Sequence, residues 1–200
     1  MNEKKLQKLI EKIIYQGNLY LEKNTKDGSF DTFISPNKYF TKKEESPKDI
    51  ASSSLILGTA FEKKTDLSDK IANYLLNQAN DDLTFHFFED KALLPADADT
   101  TSITLNSLLE LGYISINDTT PVLNKILNNQ SKEGFNIYFN PEAYNKVNTK
   151  DLVASCNIGS FLSHHQALEE FAEELERIKN YFKKEEYLRG ILWLRFWMDH

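Results

Sequence analysis

The sequence predicts an all-α fold, a partial α/α toroid of about three and a half helical hairpins with inner and outer helices, on three observations. Apolar residues recur at helical spacing through most of the 200 residues. Two kinds of segment alternate with a period near 50 residues, as in a helical-hairpin repeat. The two kinds also differ in composition: one is charged and amphipathic, the other small-residue-rich and nearly uncharged over its first turns.

The outer helices are expected at 4–23, 67–79, 120–130 and 168–184. Each of the first three runs into Asn or Gln, an acidic or Gly turn, and then an aromatic residue: Phe30, Phe85 and Phe135, which lie 55 and 50 residues apart. A fourth, weaker copy runs from Asn180-Tyr181-Phe182 toward Gly190-Ile191-Leu192-Trp193. The inner helices are expected at 49–61, 98–112 and 151–166. Their starts align without gaps: Asp49-Ile50-Ala51-Ser52-Ser53-Ser54-Leu55, Asp97-Ala98-Asp99-Thr100-Thr101-Ser102-Ile103 and Asp151-Leu152-Val153-Ala154-Ser155-Cys156-Asn157. Ser52 to Ser54, Gly58, Ser102, Ser107, Ala154, Ser155 and Gly159 suit helices packed on several sides. Residues 42–47 read as a mobile loop before the first inner helix. Glu169, Glu170, Glu173, Glu174 and Glu176 read as a solvated outer-helix face.

With 40% hydrophobic and 27% charged residues, the chain can bury a core. One domain is expected over 1–200. The chain stops mid-pattern at Phe196-Trp197-Met198-Asp199-His200, which reads as the N-terminal part of a longer toroid. The open edge then calls for a second toroid, the missing C-terminal half, or a further copy of the chain to cover it. The formal net charge of -6 and the lack of a basic stripe interleaved with aromatics exclude a nucleic-acid partner. A single cysteine, Cys156, permits no intrachain disulfide, which fits a reducing cytoplasm. The N-terminus lacks a signal peptide's apolar core, and no run approaches the roughly 20 apolar residues of a membrane span. His86, His164, His165 and His200 show no metal-ligand spacing.

The repeat alignment separates architecture from chemistry at the second inner-helix start. Asp97 recurs as Asp49 and Asp151, which reads first as a helix N-cap and second as a catalytic helper. Asp99 aligns with Ala51 and Val153, so repeat architecture does not explain it. An alternative cap, two residues on, is the bland reading of Asp99. Cys156 aligns with Ser54 and Ser102 and reads as a small core-facing residue, and His164-His165 as a polar helix end.

On these residues the chain resembles the terpenoid-cyclase and prenyltransferase toroid superfamily, with squalene-cyclase-like repeats. Gln130 to Gly134-Phe135 and Lys26-Asp27-Gly28-Ser29-Phe30 are similar to that family's Gln/Gly/Trp repeat, with Phe for Trp. Asp97-Ala98-Asp99-Thr100-Thr101 is similar to the Asp-x-Asp-Asp acid motif of class II terpene cyclases, in an Asp-x-Asp-Thr-Thr variant. The resemblance implies an isomerase or lyase that cyclises a linear isoprenoid after protonation. Asp99 would be the general acid, with Asp97 and Thr100 holding its geometry and proton. Such an acid must stay protonated in a dry pocket, and a neighbouring carboxylate raises one pKa of the pair. Aromatic walls stabilise carbocations; Phe85, Phe88, Phe135, Tyr138 and Trp193 are the candidates, with Phe87 and Phe139 beside them. Protonation requires no cofactor, and none is expected. Protein prenyltransferases of this fold hold zinc with Asp, Cys and His; Asp151, Cys156 and His164 are present but with the wrong Asp-to-Cys spacing. The expected partner is a hydrophobic isoprenoid-like molecule, with peripheral membrane contact. The alternative is a non-catalytic toroid module that binds a lipid or protein along its inner-helix groove.

Overall fold

A computed structural model describes residues 3–34, 44–131, 134–144, 148, 151–167, 169 and 172–183. The chain is mostly helical, with seven α-helices and short antiparallel strand pairs among the described residues. The helices are α1 (Glu3–Asn24), α2 (Ile50–Ala60), α3 (Asp66–Gln78), α4 (Ala98–Glu110), α5 (Thr120–Asn128), α6 (Leu152–His164) and α7 (Ala172–Lys183). The weaker fourth copy continues past Lys183, outside the described residues.

Local chemistry sets the helix ends. Asp49, Asp97 and Asp151 are the N-caps of α2, α4 and α6, and each carboxylate accepts a backbone N–H from the first turn. Thr65 and Ser68 form a reciprocal capping box at α3. The acidic turn after α1 is a two-residue hairpin, Asp27-Gly28, with φ of 57° and 90°. It joins β1 (Thr25–Lys26) to β2 (Ser29–Phe30), with Thr25 opposite Phe30. The second repeat pairs β5 (Phe85–His86) with β6 (Ala96–Asp97), and the third builds the same register as the first from β7 (Gln130–Ser131) and β8 (Gly134–Phe135). Phe30, Phe85 and Phe135 all enter the core from these turns. Within the expected loop at 42–47, of which 42 and 43 lie outside the described residues, β4 (Glu44–Glu45) pairs with β3 (Phe33–Ile34).

Helices α2, α4 and α6 stand in a row with α4 in the middle. Buried hydroxyls and a glycine set the approach of α2 and α4. Ser54 Oγ and Thr104 Oγ1 lie 2.7 Å apart, and Ser107 Oγ donates to the Ser54 carbonyl at 2.9 Å. A Cβ on Gly58 would come within 2.5 Å of Ser107 Oγ. Ser54 meets Thr104 and Gly58 meets Ser107, so the two helices run in the same direction. Their N-termini lie at one end of the row. There, each hairpin's loop pairs with the entry to the preceding inner helix. Ile50 N–H donates to the Phe87 carbonyl (2.8 Å) and Ala98 N–H to the Ile137 carbonyl (2.7 Å).

Gly17 offers a local test of α1. It lies inside the helix, and a methyl there would meet nothing within 4 Å. Gly17→Ala is expected to stabilise α1 by up to about 1 kcal/mol, because alanine loses less backbone entropy in a helix. Far-UV circular dichroism during melting checks this; a loss of helicity would mean that another backbone approaches there.

Candidate functional site

The site is the N-terminal end of α4 and its neighbours. Asp97 is 3% exposed. Its extended backbone pairs with Tyr138 on one side and Phe85 on the other, which drives its side chain into the interior. Asp97 Oδ1 accepts the Thr100 N–H at 2.6 Å, while Oδ2 is buried with no hydrogen-bond partner among the described residues. Burial pushes the Asp97 carboxyl up to about 7. The Thr100 N–H opposes the rise and the Asp99 carboxylate adds to it. Asp49 is half-buried and Asp151 exposed in the same capping role.

Asp99 lies two residues further on, in the first turn of α4, and is half-buried. Its Oδ1 accepts the Asn157 Nδ2–H of α6 at 2.8 Å. Burial raises its carboxyl above the ordinary range, Asn157 works against that, and the Asp151 carboxylate adds to it. Asp99 therefore does not cap its own helix; Asp97 does. Thr100 is buried and supplies its backbone N–H to Asp97.

Repeat-equivalent positions show which way Asp99 faces. Positions 51/99/153, 55/103/157 and 58/106/160 follow one another at helical spacing, and none of them is buried in any copy. Two apolar members of this stripe, Leu55 at 50% and Val153 at 65% exposure, face away from the core. The opposite positions, 53/101/155 and 57/105/159, are buried in all three copies. Asp99 and Asn157 thus belong to the outward stripe of the inner-helix row. They stand where the other copies carry Ala51 and Val153, and Leu55 and Ile103. The two departures from the repeat are bonded to each other.

The aromatic candidates divide. Phe85 and Phe135 are buried in the core, and the Phe85 N–H donates to Thr101 Oγ1 at 2.9 Å. Tyr138 is half-buried beside Asp97 through its backbone pairing. Phe88 is half-buried beside Asp49, one repeat away, with the Phe87 ring edge-on at 4.8 Å. Trp193 lies outside the described residues. Among the described residues, two crevices lie between the end of α1 and the start of α3, around Glu22 and Asp66, and one lies around Asp82, His86 and Lys125. Asp97 and Asp99 line none of these three.

The exposed Cys156 and half-buried His164 are not joined with Asp151 in a ligand set; no group of three or more His, Cys, Asp or Glu among the described residues is placed to share a metal ion. His165 Nε2 lies 2.9 Å from Thr119 Oγ1, and its ring packs edge-on against Phe161. Burial, then the neighbouring His164, holds its pKa below the usual value. No helix among the described residues is long and apolar enough to cross a membrane.

Asn157 is the functional candidate that motif reading passes over. Its signal is the same as that of Asp99, a polar residue at a repeat position that is apolar elsewhere. Comparison of the chain with protein-family models, characterised proteins and solved structures finds no match.

Proposed function

We propose that the chain is part of an α/α toroid whose inner-helix face takes a linear isoprenoid-like substrate, and that Asp99 protonates it to start cyclisation. The observation that carries this reading is the Asp99–Asn157 pair on the outward, partly apolar stripe of the inner helices. Asn157 occupies Oδ1, so the acid's proton sits on Oδ2. In the protonation step the Oδ2–H bond breaks and the alkene's π pair forms the new C–H bond. The cation left on the more substituted carbon is attacked by the next alkene. The carboxylate that remains is stabilised by the Asn157 N–H and by the N-terminal end of α4. Transfer of a proton from the final cation to water ends the cascade, and solvent returns a proton to Asp99. Burial favours the neutral acid this step needs.

The second reading is a module that holds a lipid along the same stripe without chemistry. What favours it is that Asp99 stands on an outward stripe beside the exposed Leu55 and Val153, whereas alkene protonation needs exclusion of water. One experiment separates the readings. The protein and Asp99→Asn are incubated with squalene, farnesyl diphosphate and geranylgeranyl diphosphate, with product analysis and a parallel binding assay. Cyclised product is expected from the parent, reduced on the order of 100-fold or more in Asp99→Asn. Binding without product in both proteins supports the module. Neither binding nor product in the folded parent refutes both readings.

A further inference from the structure

Helix α1 departs from the rest of the fold in length and exposure. It has 22 residues where α2 has 11 and α4 has 13. At 1.5 Å per residue it is about 33 Å long, roughly twice the inner helices. Leu21, near its end, packs against the core. Leu6, Leu9, Ile10, Ile13, Ile14 and Tyr20 are exposed, with Ile13 at 61% and Tyr20 at 67%. At 100° per residue these six side chains, with Gly17 and Leu21, fill one arc of roughly 140°. The arc runs continuously from the first turn to the last.

The charges on this helix have the opposite sign to those of the chain. The sequence from Glu3 to Ile14 carries four lysines against two glutamates, within a chain of net charge -6. Lys5, Lys8 and Lys12 are exposed, and their positions fall opposite the apolar arc, on a half that also carries the exposed Tyr15 and Leu19. A broad apolar arc backed by lysines is the pattern of a helix that lies in the plane of a membrane surface.

A second copy fits the same face less well. The repeating seam it would need runs through Leu6, Ile10, Ile13, Gly17, Tyr20 and Asn24, and Gly17 and Asn24 interrupt it. The arc is also broader than the two positions per heptad that a paired-helix seam uses.

We propose that α1 is a membrane-docking helix. It seats Leu6 through Tyr20 in the headgroup–acyl boundary of a lipid surface carrying anionic headgroups, with Lys5, Lys8 and Lys12 held near those headgroups. This docking does not depend on whether Asp99 donates a proton.

The test is flotation of the whole protein with vesicles of phosphatidylcholine alone and of phosphatidylcholine mixed with phosphatidylglycerol. The parent is expected to float with the mixed vesicles, to lose binding as salt rises, and to stay behind with the neutral ones. The double variant Ile10→Asn/Ile13→Asn is expected to lose binding to the mixed vesicles by at least tenfold. Lys5→Glu/Lys8→Glu is expected to lose roughly tenfold or more, given about 1 kcal/mol per basic residue at an anionic surface. All four side chains are exposed, so an unchanged melting temperature confirms that both variants fold. A parent that stays behind with both vesicle types overturns the proposal. So does binding that both variants retain. A parent dimer that Ile10→Asn/Ile13→Asn splits, with no flotation, assigns the face to a second copy instead.

Discussion

Gly28→Ala is expected to destabilise the fold by about 3 kcal/mol or more, adding the strain of a left-handed backbone to overpacking. Gly28 has φ of 90°, in the region that favours glycine. A Cβ there would press into the Lys70 carbonyl and stand 2.8 Å from the Tyr74 Cβ. The first obstacle is helix backbone and cannot rotate away. Either the β1–β2 hairpin lifts off α3 or α3 shifts, and both loosen the anchoring of Phe30 in the core. For a chain of this size the loss corresponds to a fall in melting temperature of roughly 6–12 °C. Thermal unfolding checks this against Gly17→Ala, whose expected sign is opposite. A fall of only a degree or two would mean that the hairpin does not rest on α3 in solution.

The helices were legible because the apolar period and the caps agree with each other. Asp49, Asp97 and Asp151 each mark a helix start both in the sequence and in the hydrogen bonds. The short strands were not legible. Glu44–Glu45 and Phe33–Ile34 are paired by contacts across the chain, not by an alternating pattern that a two-residue strand could display. Docking of one hairpin's loop on the previous inner helix, as at Asp49–Phe88 and Asp97–Tyr138, has no local signature at all. Neither did the sequence distinguish the environments of the three caps. The same residue is half-buried, buried and exposed in successive copies, since burial depends on what covers each helix end and not on the cap. Phe85 and Phe135 illustrate a related limit: an aromatic surplus does not distinguish core from cavity wall, and both side chains lie in the core. The Asp99–Asn157 pair was half legible. Each partner breaks the repeat, but only packing of α4 on α6 brings the two breaks together.

Asp97→Asn is expected to make the protein more stable than the parent near pH 8 and to leave stability little changed near pH 4. The Asp97 carboxyl rises from 3.8 to about 7 on burial. A group whose folded pKa is raised holds its proton in the folded chain when the unfolded chain has released it. Its contribution to stability is therefore complete below about pH 4 and lost as pH rises toward 7. At 1.36 kcal/mol per unit, the loss is on the order of 4 kcal/mol at its upper end. Asparagine stays neutral throughout, and its side-chain oxygen caps a helix about as well as aspartate does. The cap to Thr100 is thus retained while the pH dependence due to position 97 is removed. Denaturant unfolding of both proteins between pH 4 and 8 reads the difference, which should widen as pH rises. A constant difference across that range would mean that Asp97 is already ionised in the folded chain, with a counter-charge or water reaching Oδ2. Asp99→Asn should shrink the effect, because the Asp99 carboxylate contributes to the rise at Asp97.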